Sequence, residues 1–207
     1  MLSIPTALLN PSRLLSSDDV LRRPSAAPAE PGIYAWYFGE IPGAVDATGC
    51  HTSNGLTLLY VGISPSAPPT SGKAASRSTI RQRLRTHFGG NAEGSTLRLS
   101  LGCLLSQHLG IALRRVGSGS RFTFTNPGEQ RLDDWMSRHA FVAAHPCDRP
   151  WEVEERILAS NLALPLNIDG NPCIEHVARL SPLRRAARAA AKELEIVVDS
   201  GGPRRPA

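Results

Sequence analysis

Two apolar runs in the first third of the chain predict a pair of β-strands. Residues 32–38 (GIYAWYF) and 57–63 (TLLYVGI) are rich in β-branched and aromatic residues, which suit a pleated surface. Residues 39–55 between them contain proline, glycine and asparagine and are predicted to be a loop. Because no helix separates the two strands, we expect them to pair antiparallel.

Helical periodicity follows the second strand. Apolar residues recur at every fourth position from Ile80 to Phe88, which predicts a helix that begins near Ser78 or Thr79. Periodicity and turn residues predict further elements, namely helices over 96–108, 126–138, 149–163 and 174–194, a hairpin over 111–125, and a short buried strand over 140–144. Interleaved helices and strands with a modest sheet predict an α+β fold and not a doubly wound parallel one.

The positive charge of the chain is carried almost wholly by arginine. The formal net charge is +5, and Lys73 and Lys192 are the two lysines. Arginine side chains match the geometry of phosphate oxygens, which favours a nucleic-acid partner. An ordinary solvated helix explains the arginines of the C-terminal part equally well, so charge alone leaves both interpretations open.

Several classes of protein lack their sequence motifs here. The chain has no P-loop, no G-x-G-x-x-G, no G-x-S-x-G and no H-E-x-x-H, so the common nucleotide-binding, hydrolase and zinc-protease classes have no support. Its four cysteines are far apart and are expected to be free thiols. No apolar run approaches the ~18 residues that span a bilayer, and the N-terminus is unlike a signal peptide. We therefore expect a cytoplasmic protein.

One carboxylate falls on an apolar helix face. At about 100° per residue, the helix predicted over 149–163 places Glu154 near the middle of the face that Ile157 and Leu158 help to define. A glutamate there must be paired, protonated or bound to a cation, because burying an isolated carboxylate is costly. A salt bridge to an arginine is the plain alternative. Glu155 is the neighbour that a small change of helix register would place there instead.

The helix that begins near residue 79 carries two pairs of basic side chains. Arg83 and His87 lie on one side of its apolar stripe, and Arg81 and Arg85 lie on the other. Periodicity alone does not choose between the two pairs, and a solvated basic helix would show the same pattern.

These features follow one another in the order of a known motif. GIY at 32–34 and YVG at 60–62 resemble the two signatures of the GIY-YIG nuclease family. That family continues with a helix in which an arginine precedes an apolar residue, with a histidine four residues later in some members. Arg83, followed by Leu84, and His87 match this part of the pattern.

The second half of the motif is present as well. The family has a later helix with Glu-x-x-apolar-apolar, which Glu154 begins here, and an asparagine in a proline-containing segment a dozen or so residues on. Asn167 in LPLN matches that asparagine, with Asn171 as the competing candidate. The chain departs from compact members by the long loop between Tyr60 and Arg83 and by an insertion over 91–138.

The resemblance implies both a fold and a chemistry. The fold is a small three-stranded antiparallel sheet flanked by helices, whose strands would be 32–38, 57–63 and 140–144. The chemistry is hydrolysis of phosphodiester bonds, usually in DNA, with one divalent cation, commonly Mg²⁺ or Mn²⁺. Glu154 would bind this cation, since a hard carboxylate oxygen suits an ion that keeps several waters.

The resemblance also assigns roles to the other matched residues. Tyr34 would be the general base once nearby cations lower its pKa from about 10. Arg83 would hold a phosphate oxygen and neutralise charge in the transition state. Tyr60 would orient water or phosphate, and His87 would assist proton transfer or bind phosphate. Asn167 would tie the glutamate helix to the rest of the site.

Substrate contacts outside the motif are expected from Arg81, Arg85 and Lys73. DNA is the expected partner, in branched or damaged form if the family analogy extends that far, with RNA left open and no membrane involved. The sequence leaves monomer and homodimer open. A catalytically inactive nucleic-acid-binding or interaction module on the same fold is the alternative function.

The motif also sets the expected organisation of the chain. It consists of an N-terminal arm (1–30), a nuclease domain (31–171) that contains the insertion (91–138), and a basic C-terminal helix and tail (172–207).

Overall fold

The computed structural model describes residues 4–71, 74–171 and 173–198. Lys73, for which a substrate contact is predicted, lies outside these residues, as does the tail after residue 198. The elements within the described ranges are α1 (Thr6–Leu9), α2 (Ser17–Leu21), β1 (Gly32–Phe38), β2 (Thr52–Ser53), β3 (Leu56–Ser64), α3 (Ile80–Gly89), α4 (Thr96–Leu104), α5 (Ser106–Leu109), β4 (Arg114–Val116), β5 (Arg121–Thr123), α6 (Thr125–His139), β6 (Ala140–Pro146), α7 (Pro150–Leu158) and α8 (Ile174–Glu193). None of these helices is long and apolar enough to cross a bilayer.

An antiparallel sheet with the strand order β2-β3-β1-β6 forms the centre of the fold. The predicted α+β class and the antiparallel pairing of the first two long strands are confirmed. The predicted number of three strands is wrong by one, because the loop after β1 contributes the two-residue strand β2, which pairs with the start of β3. A separate two-stranded sheet joins β4 to β5 in the insertion.

The central strand β1 is buried on both faces, which explains its unbroken run of apolar residues. Its even-numbered side chains belong to a hydrophobic cluster that also contains Leu84 and Trp135. Its odd-numbered side chains belong to a second cluster with Leu8 and Ile157. Tyr37 is therefore a packing residue, and its hydroxyl donates a hydrogen bond to the carbonyl oxygen of Leu8 at 2.7 Å.

The N-terminal arm packs against the sheet. Leu15 exchanges two backbone hydrogen bonds with Val142, at 2.8 and 3.0 Å, and so covers the outer edge of β6. Ser16 caps α2 through a capping box with Asp19. Val20 is fully buried in the same cluster as the even-numbered residues of β1. The arm therefore contributes to the core.

α3 begins after Thr79, one of the two residues predicted to cap it, and the Thr79 hydroxyl accepts a hydrogen bond from the backbone of Gln82. Two other predicted helices end at different residues from those expected. The helix predicted over 96–108 is divided at Leu105 into α4 and α5. α7 ends at Leu158 because the hydroxyl and the backbone N–H of Ser160 both bind the carbonyl of Ile157, which closes a tighter turn.

A buried ion cluster joins the insertion to the end of α3. Arg98 of α4 is fully buried, and its guanidinium lies 2.6 Å from carboxylate oxygens of both Glu129 and Asp133 on α6. The same guanidinium donates to the carbonyl oxygens of His87 and Phe88 at 3.1 Å. Since these carbonyls are at the C-terminal end of α3, the cluster fixes that helix against the insertion.

We expect Glu129→Gln to destabilise the protein strongly. The change leaves the Arg98 guanidinium buried with part of its charge uncompensated, and losing one member of a buried ion pair costs about 3–5 kcal/mol of unfolding free energy. Urea unfolding monitored by circular dichroism measures the loss. The matched control is Asp134→Ala on the same helix, where an exposed carboxylate should change the unfolding free energy by less than about 0.5 kcal/mol. Equal losses in the two variants would contradict the role of the cluster.

Candidate active site

A polar cavity of about 290 Å³ opens where β1 and β3 meet α3, α4, α7 and α8. Five of the six residues predicted to be catalytic line it, namely Tyr34, Tyr60, Arg83, Glu154 and Asn167. The sixth, His87, lies behind Tyr34. The cavity thus brings together predicted catalytic residues that are up to 133 positions apart in the sequence, since Tyr34 and Asn167 are both part of its wall.

Tyr34 enters the cavity from β1 opposite a glycine of β3. The antiparallel register pairs it with Gly62, and a Cβ atom at Gly62 would lie 2.7 Å from the Tyr34 hydroxyl. Only a residue without a side chain therefore leaves room for this ring. This explains why the second signature, YVG at 60–62, ends in glycine. Burial and the neighbouring Tyr60 raise the pKa of Tyr34, whereas the charge of Arg83 and a hydrogen bond from it act in the opposite direction.

His87 is fully buried and binds Tyr34 from behind. Its Nε2 lies 3.0 Å from the Tyr34 hydroxyl, and its Nδ1 lies 2.7 Å from the Ser95 hydroxyl. Burial, followed by the charges of Arg83 and Arg98, lowers the pKa of His87 well below its usual value, so the ring is neutral at pH 7.

The hydrogen bonds of Ser95 favour one tautomer of this neutral ring. The Ser95 oxygen accepts the backbone N–H of Arg98 at 3.1 Å. Within the described part of the chain, the acceptor that lies within reach of the Ser95 hydroxyl proton is Nδ1 of His87. In the tautomer that accepts the Ser95 proton at Nδ1, the His87 proton resides on Nε2 and is donated to the Tyr34 oxygen, which would favour the phenolate form of that tyrosine.

The two basic pairs on α3 are separated by their surroundings. Arg83 lines the cavity and donates one hydrogen bond to the Gly94 carbonyl at 3.0 Å. Arg81 donates to the carbonyl of Ala27 at 2.8 Å, and Arg85 donates to carbonyls of the arm. Neither Arg81 nor Arg85 lines the cavity. Their predicted contact with substrate stays a prediction, and this geometry does not favour it.

Glu154, and not Glu155, faces the cavity. Glu154 is half-buried, whereas Glu155 is exposed and lies at a neighbouring surface depression. Burial, with a contribution from the negative charge of Asp169, raises the pKa of Glu154 from 4.5 to about 7. No ion pair to Glu154 occurs among residues 4–71, 74–171 and 173–198, so the alternative of a salt bridge to arginine gains no support.

Asn167 connects the segment after α7 to β3. Its side-chain oxygen accepts the Val61 N–H and its side-chain nitrogen donates to the Val61 carbonyl, both at 2.9 Å. Asn171 instead donates to the backbone carbonyls of Leu164 and Asn167, which holds the turn in which Asn167 lies. Asn167 is thus the asparagine at the cavity, and Asn171 supports it from the chain that follows.

Several residues of the cavity wall were missed by the sequence analysis. The polar ones are Ser66, Thr96, Ser100, Asp169 and Arg184. Thr96 and Ser100 share one face of α4, and their i, i+4 spacing was the available signal in a helix whose other residues, apart from Arg98, are apolar or glycine. Arg184 belongs to the C-terminal basic helix, where nothing in the sequence distinguishes it from its solvated neighbours.

The donor set at the cavity fits a hard divalent cation. Glu154 supplies one carboxylate, and Asp169 places a second negative charge close enough to affect it. The described residues contain no cluster of three or more His, Cys, Asp or Glu side chains that could enclose a metal. A cation held here would therefore keep most of its waters, as Mg²⁺ and Mn²⁺ commonly do.

A twisted antiparallel sheet that aligns two tyrosines with an arginine and a glutamate defines a catalytic domain of the GIY-YIG class. A family model for the GIY-YIG catalytic domain matches residues 32–187, roughly three quarters of the chain, and the chain belongs to this family. Neither a curated protein nor a solved structure matches the chain. Family membership supports a nuclease-type function. The match includes the whole insertion and the first part of α8.

We expect Glu154→Gln to change the pH dependence of stability. Below pH 4.5 the wild-type carboxyl is protonated in both the folded and the unfolded protein, so its contribution to stability is fully present. As pH rises through about 7 this contribution is lost, because the folded protein must then hold a desolvated carboxylate. The variant should therefore gain thermal stability relative to wild type as pH rises through this window, with EDTA present.

The control for this measurement is Glu155→Gln, which removes an exposed carboxylate from the same helix. Its melting temperature should follow that of the wild type at every pH. A difference between Glu154→Gln and wild type that is independent of pH would contradict the raised pKa.

Proposed function

We propose that this protein is a metal-dependent endonuclease that hydrolyses phosphodiester bonds in DNA. The observation that carries the proposal is the convergence of Tyr34, Tyr60, Arg83 and Glu154 on one polar cavity. Each of these residue types has a part in phosphodiester hydrolysis, and the family of the chain acts on nucleic acid. An interaction module would gain nothing from a half-buried, unpaired carboxylate at this place.

Glu154 would bind Mg²⁺ or Mn²⁺ through its carboxylate. The cation supplies stabilisation of the charge that develops on the phosphate and on the leaving 3′-oxygen. Without a cation, the raised pKa of Glu154 leaves a substantial fraction of the carboxyl protonated at pH 7. Binding would therefore release a proton, and cation affinity should increase with pH.

Arg83 would hold the scissile phosphate. Its guanidinium donates one N–H to the Gly94 carbonyl and also interacts with Tyr34, which orients it and leaves further N–H donors for phosphate oxygens. Tyr34 would remove the proton from the attacking water, aided by the His87 N–H and the Arg83 charge, which both favour its phenolate. Tyr60 would orient the water or the phosphate, and Asn167 would keep the loop after α7 aligned with β3.

Nicking of supercoiled plasmid with Mg²⁺ or Mn²⁺ tests this proposal. We expect Tyr34→Phe to lower the rate about 10²–10⁴-fold through loss of the base. Arg83→Ala should lower it about 10²–10³-fold through loss of charge stabilisation. Glu154→Gln should abolish nicking, and cation binding measured by calorimetry should be lost with it.

Two variants away from the cavity serve as controls. Glu155→Gln and Arg138→Ala each remove one exposed charge and should retain wild-type nicking. A wild-type protein that cuts no DNA or RNA, whether linear, supercoiled, branched or single-stranded, would contradict the proposal and favour the inactive binding module. Nicking that survives Glu154→Gln and Arg83→Ala would contradict the assignment of the site.

The hydrogen bond from His87 to Tyr34 generates a separate expectation. His87→Phe keeps a ring of similar size but removes the N–H that stabilises the phenolate. The nicking rate should fall about 10–100-fold, since a hydrogen bond to a charged group contributes roughly 1.5–3 kcal/mol. The pH at which the rate reaches its plateau should also rise. An unchanged pH profile with a lower rate would indicate a packing role for His87 alone.

A further inference from the structure

The C-terminal helix α8 carries four arginines that have different surroundings. Leu180 and Ala191 are buried and mark the face of α8 that packs against the rest of the protein. Arg184 follows Leu180 by four positions and therefore lies on this packed face. It is half-buried and lines the candidate active-site cavity, whereas its neighbour Arg185 is exposed.

Two of the other arginines have partners on the protein. The Arg179 guanidinium lies 3.9 Å from a carboxylate oxygen of Asp46. The Arg188 guanidinium lies 5.0 Å from the centre of the Phe122 ring, which is a cation–π contact. These contacts anchor the helix on both sides of Arg184.

Arg184 itself has no hydrogen bond and no ion pair with any residue of the described ranges. Burial and the nearby Arg188 lower its pKa, and the charge of Asp169 opposes this shift without coming within the 4.0 Å of an ion pair. A partly desolvated guanidinium without a counter-charge is unfavourable, because burial removes water and supplies nothing in exchange. The free protein therefore has an arginine at this cavity that lacks an anionic partner.

The position of Arg184 differs from that of Arg83. The charge of Arg83 acts to lower the pKa values of Tyr34 and His87, the two residues of the proposed proton-transfer pair. The groups that act on the pKa of Arg184 include Cys103, Asp169 and Tyr60, of which Tyr60 also feels the charge of Arg83. The two arginines thus approach the cavity from different helices and both lie close enough to Tyr60 to affect it.

We propose that Arg184 is a substrate-binding residue that contacts a backbone phosphate of the strand next to the phosphate held by Arg83. This inference rests on the proposed function for the identity of the substrate. A phosphate supplies the missing anionic partner of Arg184, and its planar guanidinium can bind two phosphate oxygens at once. The C-terminal helix is then part of the substrate site.

Equilibrium DNA binding tests the contact without cleavage. A fluorescein-labelled DNA duplex is titrated with full-length protein in the Glu154→Gln background, and anisotropy gives the dissociation constant. Arg184→Ala should weaken binding about 10-fold, the effect of losing one charge-assisted hydrogen-bonded contact. The slope of log K against log salt should also fall by about one unit. Arg184→Lys, which keeps the charge, should recover part of the affinity.

Arg185→Ala is the matched control, because it removes the same charge from the adjacent position of the same helix. Its dissociation constant should change less than about 2-fold, since an exposed charge contributes only a screened, long-range attraction. Melting temperature separates binding from folding. Since Arg184 has no internal partner, Arg184→Ala should melt at or above the wild-type temperature, and a large decrease would assign it a structural role and overturn the proposal.

Steady-state nicking separates this inference from the proposed function. In a cleaving enzyme, Arg184→Ala should raise KM about 10-fold and leave kcat nearly unchanged, as expected for a contact present in both ground and transition states. If the wild type nicks DNA and the Arg184→Ala and Arg185→Ala variants bind DNA equally well, the inference is overturned and the proposed function stays intact. If the wild type nicks no DNA but Arg184→Ala, and not Arg185→Ala, weakens DNA binding, the result supports the contact of Arg184 with DNA and contradicts the proposed nuclease activity. Wild type that binds no DNA would overturn the inference.

Discussion

The antiparallel pairing of β1 with β3 places Tyr34 opposite Gly62, and the candidate site depends on this register. Side chains alternate between the two faces of a strand, so a shift of one residue would turn the Tyr34 ring away from the cavity and bring a neighbour against it. Gly62 makes the register specific, because a Cβ there would lie 2.7 Å from the Tyr34 hydroxyl. Asn167 extends the same constraint, since its two hydrogen bonds to Val61 attach the segment after α7 to the strand position next to Gly62.

In the free protein, the surroundings of the cavity favour the neutral forms of its titratable side chains. Burial keeps His87 neutral and raises the pKa values of Tyr34, Tyr60 and Glu154. These shifts share one physical cause, the removal of water from groups whose charged forms need it. A divalent cation beside Glu154 and a phosphate beside the arginines would each replace part of that missing solvation. The charged forms needed for catalysis would then develop together with the bound substrate complex, and the free protein would avoid most of their cost.

Much of the fold could be predicted because local patterns agreed with the tertiary structure. The apolar runs of β1 and β3 and the capped stripe of α3 were readable from composition and spacing alone. The two-residue strand β2 was not readable, because polar residues in a glycine-rich loop become a strand only through pairing with β3. The early end of α7 depends similarly on Ser160, whose hydroxyl competes for a helical carbonyl.

The residues of the candidate site fall into the same two groups: those that the sequence predicts, and those that only the tertiary structure places at the cavity. Tyr34, Tyr60, Arg83 and Glu154 were found because an ordered motif adds information that no single position has. Asp169 and Arg184 were missed because a charged residue in a loop or a basic helix has the same sequence signature whether it faces solvent or a cavity. Only the tertiary packing that brings α8 against α4 distinguishes Arg184 from Arg185.

The ion cluster around Arg98 connects the insertion to the candidate site. Arg98 binds the last carbonyls of α3, and its backbone N–H binds the oxygen of Ser95. Ser95 in turn binds Nδ1 of His87, and Nε2 of His87 lies 3.0 Å from the Tyr34 hydroxyl. The insertion therefore supplies two polar residues of the cavity wall, Thr96 and Ser100, and also the chain of contacts that reaches the hydroxyl of Tyr34. The family model runs through the whole insertion, so the insertion is better regarded as part of the GIY-YIG domain than as an addition to it.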